Sequence, residues 1–303
     1  FYQSLGIPGV PKSFYKNSQF EKPKNAVSSC FTAFWDMYDN KDYRLLTCGE
    51  VNHYYLFALC HEMGHLMYAM GYKDQPFCYK EGANMAINEG WADVAGLSLS
   101  TSERLGRLGF LDQPCRVDPE VELNRLFFTA LDKVSFLPYG LILELWRWGY
   151  FQGNITDDDC NTAWWKLRLQ YQGISPPEAR SDDYIDPVCQ SHVVDDDQYI
   201  MYFLATIFQF QFQESLCIAA KEYNPSDPKT QTLDKCDIYG SKKAGQLINK
   251  MFILGSSKSW QSALEAITGQ TDIDTRPILK YFENLYDWLK IENEKTGEYI
   301  GWM

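Results

Sequence analysis

The pattern of hydrophobic and polar positions along the chain predicts a mainly helical protein. Apolar residues recur at the spacing of one helix face in residues 51–70, which Gly71 then ends, and in residues 83–100. Residues 199–221 contain few polar positions, which predicts a long buried helix. Helix start and stop signals predict four further helices, at residues 156–173, 241–254, 259–268 and 277–291.

One segment predicts β structure and another predicts a long loop. Residues 30–48 place two apolar runs on either side of the turn sequence DNKD, which is typical of a β-hairpin. Residues 172–191 are rich in proline, serine and aspartate, and they predict an ordered loop within a domain. We therefore expect a mainly α fold with at most a small hairpin, which occupies residues 1–303 as a single region.

Composition and charge exclude two classes of protein. Lys and Arg number 28 against 40 Asp and Glu, so the net charge of −12 argues against a nucleic-acid-binding protein. Hydrophobic residues make up 45% and aromatic residues 16%, which excludes a disordered chain because so much apolar surface can form a core. The most apolar stretch, residues 199–212, is shorter than the ~20 residues that cross a bilayer, so we expect no membrane span.

Cysteine usage indicates an oxidising compartment. Nine cysteines are many for a reducing environment, and the odd number leaves at least one unpaired within the chain. The acceptor sequence Asn154-Ile155-Thr156 suits a secreted or cell-surface glycoprotein. The first residues, FYQSLGIPGV, show neither an initiator methionine nor a signal-peptide pattern, so we expect a processed chain or part of a longer precursor.

The strongest chemical motif is HEMGH, at residues 61–65 of the first predicted helix. Positions i and i+4 lie one turn apart on the same helix face, so His61 and His65 can both reach one Zn²⁺ at ~2.0–2.1 Å. Glu62 is then placed to take a proton from a metal-bound water. Isolated HExxH sequences also occur on helix surfaces without a metal, so the motif alone leaves both interpretations open.

A third ligand is expected on a neighbouring helix, because three protein ligands and one water complete a hydrolytic zinc site. Glu89 interrupts the otherwise apolar segment at residues 83–100, and Asp93 lies one turn further along the same face. Asp93 could hold the outer ring nitrogen of a ligand histidine. The alternative is a solvated acidic stripe, but the apolar neighbours Trp91 and Val94 favour burial.

These segments resemble the angiotensin-converting enzyme family, whose members are zinc peptidyl-dipeptidases. The similarity begins with HEMGHLMYAMGYKDQPFCYKEGANMAINEGWADVAGLSLS and continues through LDKVSFLPYGLILELWRWGYFQGNIT and YFLATIFQFQFQESLCIAA to the end of the chain. It corresponds to the C-terminal half of a family catalytic domain. The resemblance implies a zincin-type helical domain with a deep cleft, whose other wall comes from an absent N-terminal half or a partner chain.

The resemblance implies a role for each residue of the zinc site. The implied zinc ligands are His61, His65 and Glu89. Glu62 is the implied general base, and Asp93 is implied to support a ligand histidine. The implied function is a zinc metallopeptidase that hydrolyses peptide bonds near the C-terminus of oligopeptide substrates.

The resemblance also implies residues that contact the substrate. His192 and Tyr202 correspond to the pair that stabilises the tetrahedral intermediate, although the residues alone favour a loop histidine and a core aromatic. Tyr199 corresponds to a phenol that binds the substrate's C-terminal carboxylate. Thr32 and Phe34 belong to the hairpin along which family substrates lie.

Three positions depart from the family pattern. Phe31 replaces a histidine that hydrogen-bonds the substrate, Gln190 replaces a lysine that pairs with its C-terminal carboxylate, and Met201 replaces an arginine that binds chloride. Losing such a hydrogen bond costs ~1–3 kcal/mol. Trp164 and Arg168 correspond to the family's other chloride site. We therefore expect weakened recognition of a dipeptide C-terminus and little dependence on chloride.

Two interpretations follow from these departures. The first is an active zinc peptidase with altered specificity, which releases two residues or only one. The second is a zinc-binding homologue with weak or no catalysis, which acts as a binding or structural protein. The retained zinc and oxyanion residues favour the first interpretation, because a protein released from catalysis has no physical need for all of them.

The cysteines divide into two groups. By the same resemblance, Cys30 pairs with Cys48 and Cys217 pairs with Cys236. Each disulfide would close a loop of about 20 residues and stabilise the fold by ~3 kcal/mol. The cysteines without an assigned partner are Cys60, Cys78, Cys115, Cys160 and Cys189.

Overall fold

The structure is a computed structural model, and it describes residues 1–25, 32–111 and 118–302. Within these residues the chain forms thirteen α-helices and a single two-stranded sheet, which confirms the expected fold class. The chain divides into two compact units. Unit 1 contains Phe1–Glu122 and Ile207–Tyr281, and unit 2 contains Leu123–Thr206 and Phe282–Met303.

The elements have the following bounds. The helices are α1 Tyr2–Leu5, α2 Lys12–Asn17, α3 His53–Gly71, α4 Met85–Leu99, α5 Ser102–Arg107, α6 Pro119–Phe151, α7 Cys160–Gln172, α8 Ser191–Val194, α9 Ile200–Ala220, α10 Lys242–Phe252, α11 Trp260–Thr268, α12 Arg276–Tyr281 and α13 Glu283–Thr296. The strands are β1 Ala33–Asp36 and β2 Tyr43–Leu46. Short 3₁₀ turns lie at Phe77–Tyr79, Asp186–Cys189 and Leu233–Lys235.

The predicted hairpin is present and is shorter than the segment that predicted it. β1 and β2 pair antiparallel, with Ala33 opposite Leu46 and Asp36 opposite Tyr43. The Asp39 side chain accepts hydrogen bonds from the backbone N–H groups of Lys41 and Asp42, at 2.8 and 2.7 Å, which closes the turn. Residues 26–31, with Cys30 and Phe31, lie outside the described residues, so the Cys30–Cys48 pairing stays a prediction.

Two asparagines start the helices that carry the metal motif. The Asn52 side chain accepts a hydrogen bond from the backbone N–H of Tyr55 at 3.0 Å, and α3 begins one residue after Asn52. The Asn84 side chain accepts from the N–H of Ala86 at 2.8 Å in front of α4. Asparagine is among the best N-cap residues because its oxygen pairs one otherwise unsatisfied N–H group. Both helices therefore start close to the predicted positions.

The core of unit 1 is aromatic and joins α3, α4 and α10. Tyr68 and Trp91 are fully buried, as is Phe252. The ring of Phe252 stacks on Tyr68 at 4.9 Å and meets Trp91 edge-on at 5.1 Å. Such ring pairs add about 0.5–1.5 kcal/mol to the stabilisation that burial gives. This packing holds the two motif helices against one surface.

A disulfide joins two segments of unit 1. Cys217, near the end of α9, bonds to Cys236, and both residues are buried with Cα atoms 6.1 Å apart. Among the described residues, four cysteines form no disulfide, and they are Cys60, Cys78, Cys160 and Cys189. Cys115 lies outside the described residues.

Unit 2 is built around α6 and α7. Ile142 and Trp146 of α6 pack with Cys160 and Trp164 of α7 in one buried cluster. The indole N–H of Trp146 donates to the Cys160 carbonyl at 2.9 Å. Among the described residues, α6 is the helix that is long and apolar enough to cross a membrane by length and composition alone. Core helices of soluble proteins pass this test too, so the expectation of no membrane span stays a prediction.

The prediction of one helix over residues 277–291 is wrong. The segment forms α12 and α13, with a break at Phe282, whose backbone angles are φ −98° and ψ 8°. Tyr281 is buried in unit 1, where its ring lies 4.9 Å from the ring of Phe210, whereas Phe282 is buried in unit 2. The break coincides with the boundary between the two units.

Candidate metal centre

Two imidazole nitrogens and one carboxylate converge in unit 1. The Nε2 atoms of His61 and His65 lie 3.0 Å apart. The Glu89 oxygens lie 3.3 Å from the His61 nitrogen and 3.6 Å from the His65 nitrogen. Neighbouring ligand atoms in a tetrahedral zinc site with ~2.0–2.1 Å bonds are about 3.3–3.4 Å apart. The donor set therefore fits zinc. Among the histidine, cysteine and acidic side chains of the described residues, these three form the group that could hold a metal.

Close packing of α3 on α4 brings the three donors together. A β-carbon added at Gly64 would lie 2.8 Å from the Cα of Ala92, so the helices touch through their backbones at this point. The indole N–H of Trp91 donates to the Gly64 carbonyl at 2.9 Å and fixes the approach. Glycine is needed here because any larger residue would separate Glu89 from the histidines.

Each histidine is held by a second polar side chain at its outer nitrogen. His61 Nδ1 lies 2.7 Å from Asp93 Oδ1, and His65 Nδ1 lies 3.0 Å from Asn88 Oδ1. A ring that donates its Nδ1–H directs its Nε2 lone pair towards the metal position. The sequence predicted a supporting role for Asp93 but missed Asn88. The available signal was its position directly before Glu89, as a polar residue in an apolar segment.

The electrostatics of the site favour positive charge. Burial alone would lower the pKa of His61, but hydrogen bonds to Asp93 and Glu89 outweigh it and raise that pKa to about 10. Burial alone would raise the pKa of Glu89, but hydrogen bonds to His61 and His65 outweigh it and lower that pKa to about 2. A bound divalent cation would replace the proton on His61, so metal binding releases protons.

Glu62 lies beside the hairpin and the ligand pair. Burial raises the pKa of Glu62, while the nearby ligand histidines and a hydrogen bond from the backbone N–H of Phe34 partly oppose this rise. The Phe34 ring stacks on His65, with centroids 5.4 Å apart and planes 21° apart. Thr32 pairs its hydroxyl with that of Thr47 at 3.2 Å. Strand β1 therefore contacts both a metal-ligand candidate and the candidate base.

A second polar group lies in unit 2. His192 Nε2 lies 3.1 Å from the Tyr202 hydroxyl, and the two rings meet at 90°. Gln190 Nε2 lies 2.8 Å from His192 Nδ1. The buried Tyr199 packs its ring against that of His192 at a centroid distance of 5.2 Å. The structure brings together these four residues, which lie within 13 positions of one another in the sequence.

The residues that the resemblance linked to chloride also lie in unit 2. The Arg168 guanidinium carbon lies 5.7 Å from the ring centre of Trp164 and 5.4 Å from that of Tyr139. Burial lowers the pKa of Arg168. Met201 is half-buried at the second position of α9. The role of chloride stays a prediction.

The donor group does not include Cys60, His53 or Asn154. Burial raises the pKa of the Cys60 thiol to about 11, as expected for a packed thiol. His53 opens α3, and its ring packs 4.5 Å from that of Phe57. Asn154 is exposed, and its side-chain amide donates to Gln152 at 3.1 Å.

A helix with HExxH and a glutamate from the following helix together define a metalloprotein of the HExxH class. Comparison with known families identifies the family within this class. The model of the family described as angiotensin-converting enzyme matches residues 1–302, and the chain belongs to the angiotensin-converting enzyme family.

Several relatives are similar along nearly the whole chain. The angiotensin-converting enzyme of Rattus norvegicus is 42% identical over 303 residues, which cover 100% of this chain and 22% of the relative. The angiotensin-converting enzyme-related protein of Drosophila melanogaster is 37% identical over 302 residues, which cover 100% of this chain and 48% of the relative. The angiotensin-converting enzyme of Haematobia irritans exigua is 42% identical over 291 residues, which cover 96% of this chain and 47% of the relative. The chain thus spans about half the length of these insect relatives.

Proposed function

We propose that the protein containing this chain is a zinc metallopeptidase that hydrolyses peptide bonds near the C-terminus of oligopeptides. One observation carries the proposal: His61, His65 and Glu89 converge at the ligand spacing of zinc, in a member of the angiotensin-converting enzyme family. Bound by these residues, zinc would act as a Lewis acid that lowers the pKa of water to ~7 and polarises a peptide carbonyl.

The remaining roles fall to side chains of this chain. Glu62 acts as general base, accepts a proton from the attacking water and passes it to the leaving amine. Its raised pKa supports this role, because a base that later acts as an acid works best when its pKa approaches the working pH. His192 Nε2–H and the Tyr202 hydroxyl neutralise the oxyanion of the tetrahedral intermediate, each contributing ~3–4 kcal/mol. Tyr199 binds the C-terminal group of the peptide.

We propose release of a C-terminal dipeptide as the main cleavage mode. The departure at Gln190 weakens recognition of the terminal carboxylate, and that at Phe31 removes a hydrogen bond to the substrate carbonyl beyond the scissile bond. Release of a single residue is therefore the other outcome to be tested. Thr32 and Phe34 line the peptide's path along β1. The remainder of the family domain, in the same polypeptide or in a partner chain, would complete the substrate-binding surface.

The test of function uses the full-length natural protein and a fluorescence-quenched oligopeptide. The wild type hydrolyses the peptide, a zinc chelator abolishes the activity, and mass spectrometry of the products distinguishes a dipeptide from a single residue. Glu62→Gln abolishes hydrolysis while one zinc remains bound. Glu222→Gln, at an exposed glutamate, is the matched control. If the wild type binds one zinc but turns over no faster than Glu62→Gln, the protein is a zinc-binding homologue and the proposed activity is rejected.

We also propose that the protein is secreted or displayed on the cell surface. The Cys217–Cys236 disulfide and the exposed Asn154 acceptor support an oxidising, glycosylating compartment. Enzymatic deglycosylation should lower the mass of the natural protein, and Asn154→Gln should remove one glycan. An unchanged mass in both cases would reject glycosylation at this residue.

A further inference from the structure

Gln190 has a hydrogen-bond partner at each end of its side-chain amide, within unit 2. Its Oε1 accepts a hydrogen bond from the Tyr139 hydroxyl at 3.2 Å, and its Nε2 lies 2.8 Å from His192 Nδ1. His192 Nε2 lies 3.1 Å from the Tyr202 hydroxyl. These four side chains form one hydrogen-bonded series, the Tyr139–Tyr202 series, in which Gln190 is the second member.

The chemistry of the amide decides which atom donates and which accepts in the hydrogen bond between Gln190 and His192. An amide NH₂ group can only donate, and a neutral imidazole has one donor and one acceptor nitrogen. The nitrogen that faces Gln190 Nε2, His192 Nδ1, must therefore accept, so the ring proton lies on Nε2. In this arrangement the Tyr139 hydroxyl donates to the amide oxygen, and the amide NH₂ group faces His192.

The neighbouring rings fix the plane of the His192 imidazole but do not determine which of its nitrogens carries the proton. The rings of Tyr199 and Tyr202 pack against His192 at 5.2 and 5.3 Å, at angles of 80° and 90°, which holds the imidazole plane. The backbone of Gln190 is held as well, since its N–H donates to the Pro187 carbonyl at 3.2 Å and its carbonyl accepts from Val193 at 2.9 Å. The amide is therefore anchored next to the one ring atom that it can control.

We propose that Gln190 is a positioning residue that holds His192 in its Nε2–H form, and that it does not bind the C-terminal carboxylate of the substrate. The inference rests on the proposed function, in which His192 donates to the oxyanion, because only the Nε2–H form presents a donor on the Tyr202 side. A neutral amide whose Nε2 is directed at His192 offers no charge to a carboxylate. Peptides with free and amidated C-termini should therefore depend on Gln190 to the same extent.

The first test reads the proton directly and needs no activity. The full-length protein is labelled with ¹⁵N-histidine, and the ring signals of His192 are assigned by their loss in His192→Gln. The wild type should show a protonated Nε2 and an unprotonated Nδ1. Gln190→Glu, which can only accept, should move the proton to Nδ1, and Gln190→Met should give a mixture of both forms. Gln170→Met, at an exposed glutamine of α7, should leave the signals unchanged.

The second test separates positioning from substrate binding. At about pH 8.5, Gln190→Glu should lower kcat by ~100-fold, the effect of losing one oxyanion donor. Gln190→Met should change KM by less than about twofold for both the free-acid and the amidated peptide, a difference far below one tenfold step in affinity. A wild type with its proton on Nδ1 would overturn the proposal. A Gln190→Met variant with unchanged ring signals and a raised KM for the free acid alone would also overturn it. If the full-length protein hydrolyses no peptide, the proposed function fails, and the ring signals alone decide the role of Gln190.

Discussion

Gly64 and Ala92 bring the two ligand-bearing helices into backbone contact. A β-carbon at Gly64 would come within 2.8 Å of the Ala92 Cα, a distance that real β-carbons essentially never show. The glycine of the HEMGH motif therefore sets the distance between the histidines on α3 and Glu89 on α4. Two features that look independent in the sequence, a glycine and an alanine 28 positions apart, share one geometric task.

Replacing this glycine should weaken both folding and metal binding. We expect Gly64→Ala to lower the free energy of unfolding by about 1–3 kcal/mol, because the helices must move apart to fit the methyl group. Zinc affinity should fall with it, measured by competition with a chelating dye. Gly96→Ala is the matched control, since its β-carbon would meet only the side chain of Phe57, at 3.2 Å. Equal stability and equal affinity in the two variants would rule out a role for the close approach.

The outer hydrogen bonds of the histidines should tune zinc affinity. Asp93→Ala and Asn88→Ala should each weaken zinc binding by ~10–100-fold, because each removes the group that orients a ligand ring. Dissociation constants from chelator competition measure the effect. Asp74→Ala, an exposed acid in unit 1, should leave the affinity unchanged. Loss of affinity in Asp93→Ala alone would show that Asn88 only packs beside the ring.

The loop before His192 should become less stable in acid. A hydrogen bond from Arg180 lowers the pKa of Asp186 to about 2, against the opposing effect of burial, and Trp165 and Asn161 donate further hydrogen bonds. A folded-state pKa below the unfolded value of about 3.9 stabilises the fold above that value, and the stabilisation is lost as the pH falls towards about 2.

The variant Asp186→Asn tests this pH dependence. It should be about 1 kcal/mol less stable than the wild type at neutral pH, and the difference should shrink below about pH 4. Urea denaturation at a series of pH values measures it. Asp183→Asn, at an exposed acid in the same loop, controls for the loss of one charge. A difference that stays constant down to about pH 2 would contradict the pKa assignment.

The rate of hydrolysis should depend little on chloride. Met201 has no charge with which to bind an anion, and it stands at the position where the family resemblance implies a chloride-binding arginine. The rate should change by less than about twofold between zero and about 100 mM chloride, with acetate as the replacement anion, which corresponds to less than about 0.5 kcal/mol in the barrier. A several-fold rise in rate would show that another site in the protein supplies the anion effect.

The disulfide in unit 1 should be a main source of its stability. Cys217 and Cys236 are 19 positions apart, and a loop of this size gives ~3 kcal/mol in the chain-entropy treatment. The double variant Cys217→Ala/Cys236→Ala should lose about this amount in denaturant unfolding. Cys78→Ala, at an exposed cysteine that forms no disulfide among the described residues, is the control. Equal losses in the two proteins would assign the effect to the alanines and not to the bond.

The sequence predicted the helices whose ends carry local start or stop signals. Asn52, Asn84 and Ser259 pair the first N–H groups of their helices, and Gly269 ends α11 in a left-handed conformation at φ 71°. These features depend on neighbouring residues, so the sequence reveals them. α6 was not predicted, because Pro138 and the mixed polarity of its first half hide a helix that packing in unit 2 stabilises. The break at Phe282 has no local signal either.

The candidate site was likewise predicted only where the signal is local to the sequence. The spacing of HEMGH and the apolar surroundings of Glu89 and Asp93 predicted a group that the structure brings together. Asn88 was missed although it stands directly before Glu89, because a polar residue at that position does not by itself show which side chain on another helix it contacts. The partners of Gln190 were missed for the same reason, since Tyr139 lies 51 positions before it.

The burial of α3 increases along its length, and this gradient bears on how a bound metal would exchange. The side chain of His61 is 27% exposed, whereas that of His65 is 7% exposed, and the residues that follow are buried up to Ala69. Fraying of a helix starts where few buried contacts oppose it, so α3 opens from its first turns. A metal held by these residues would therefore lose its contact with His61 first, while His65 and Glu89 would keep theirs. We expect such an exchange to be local and to leave the remainder of the unit folded.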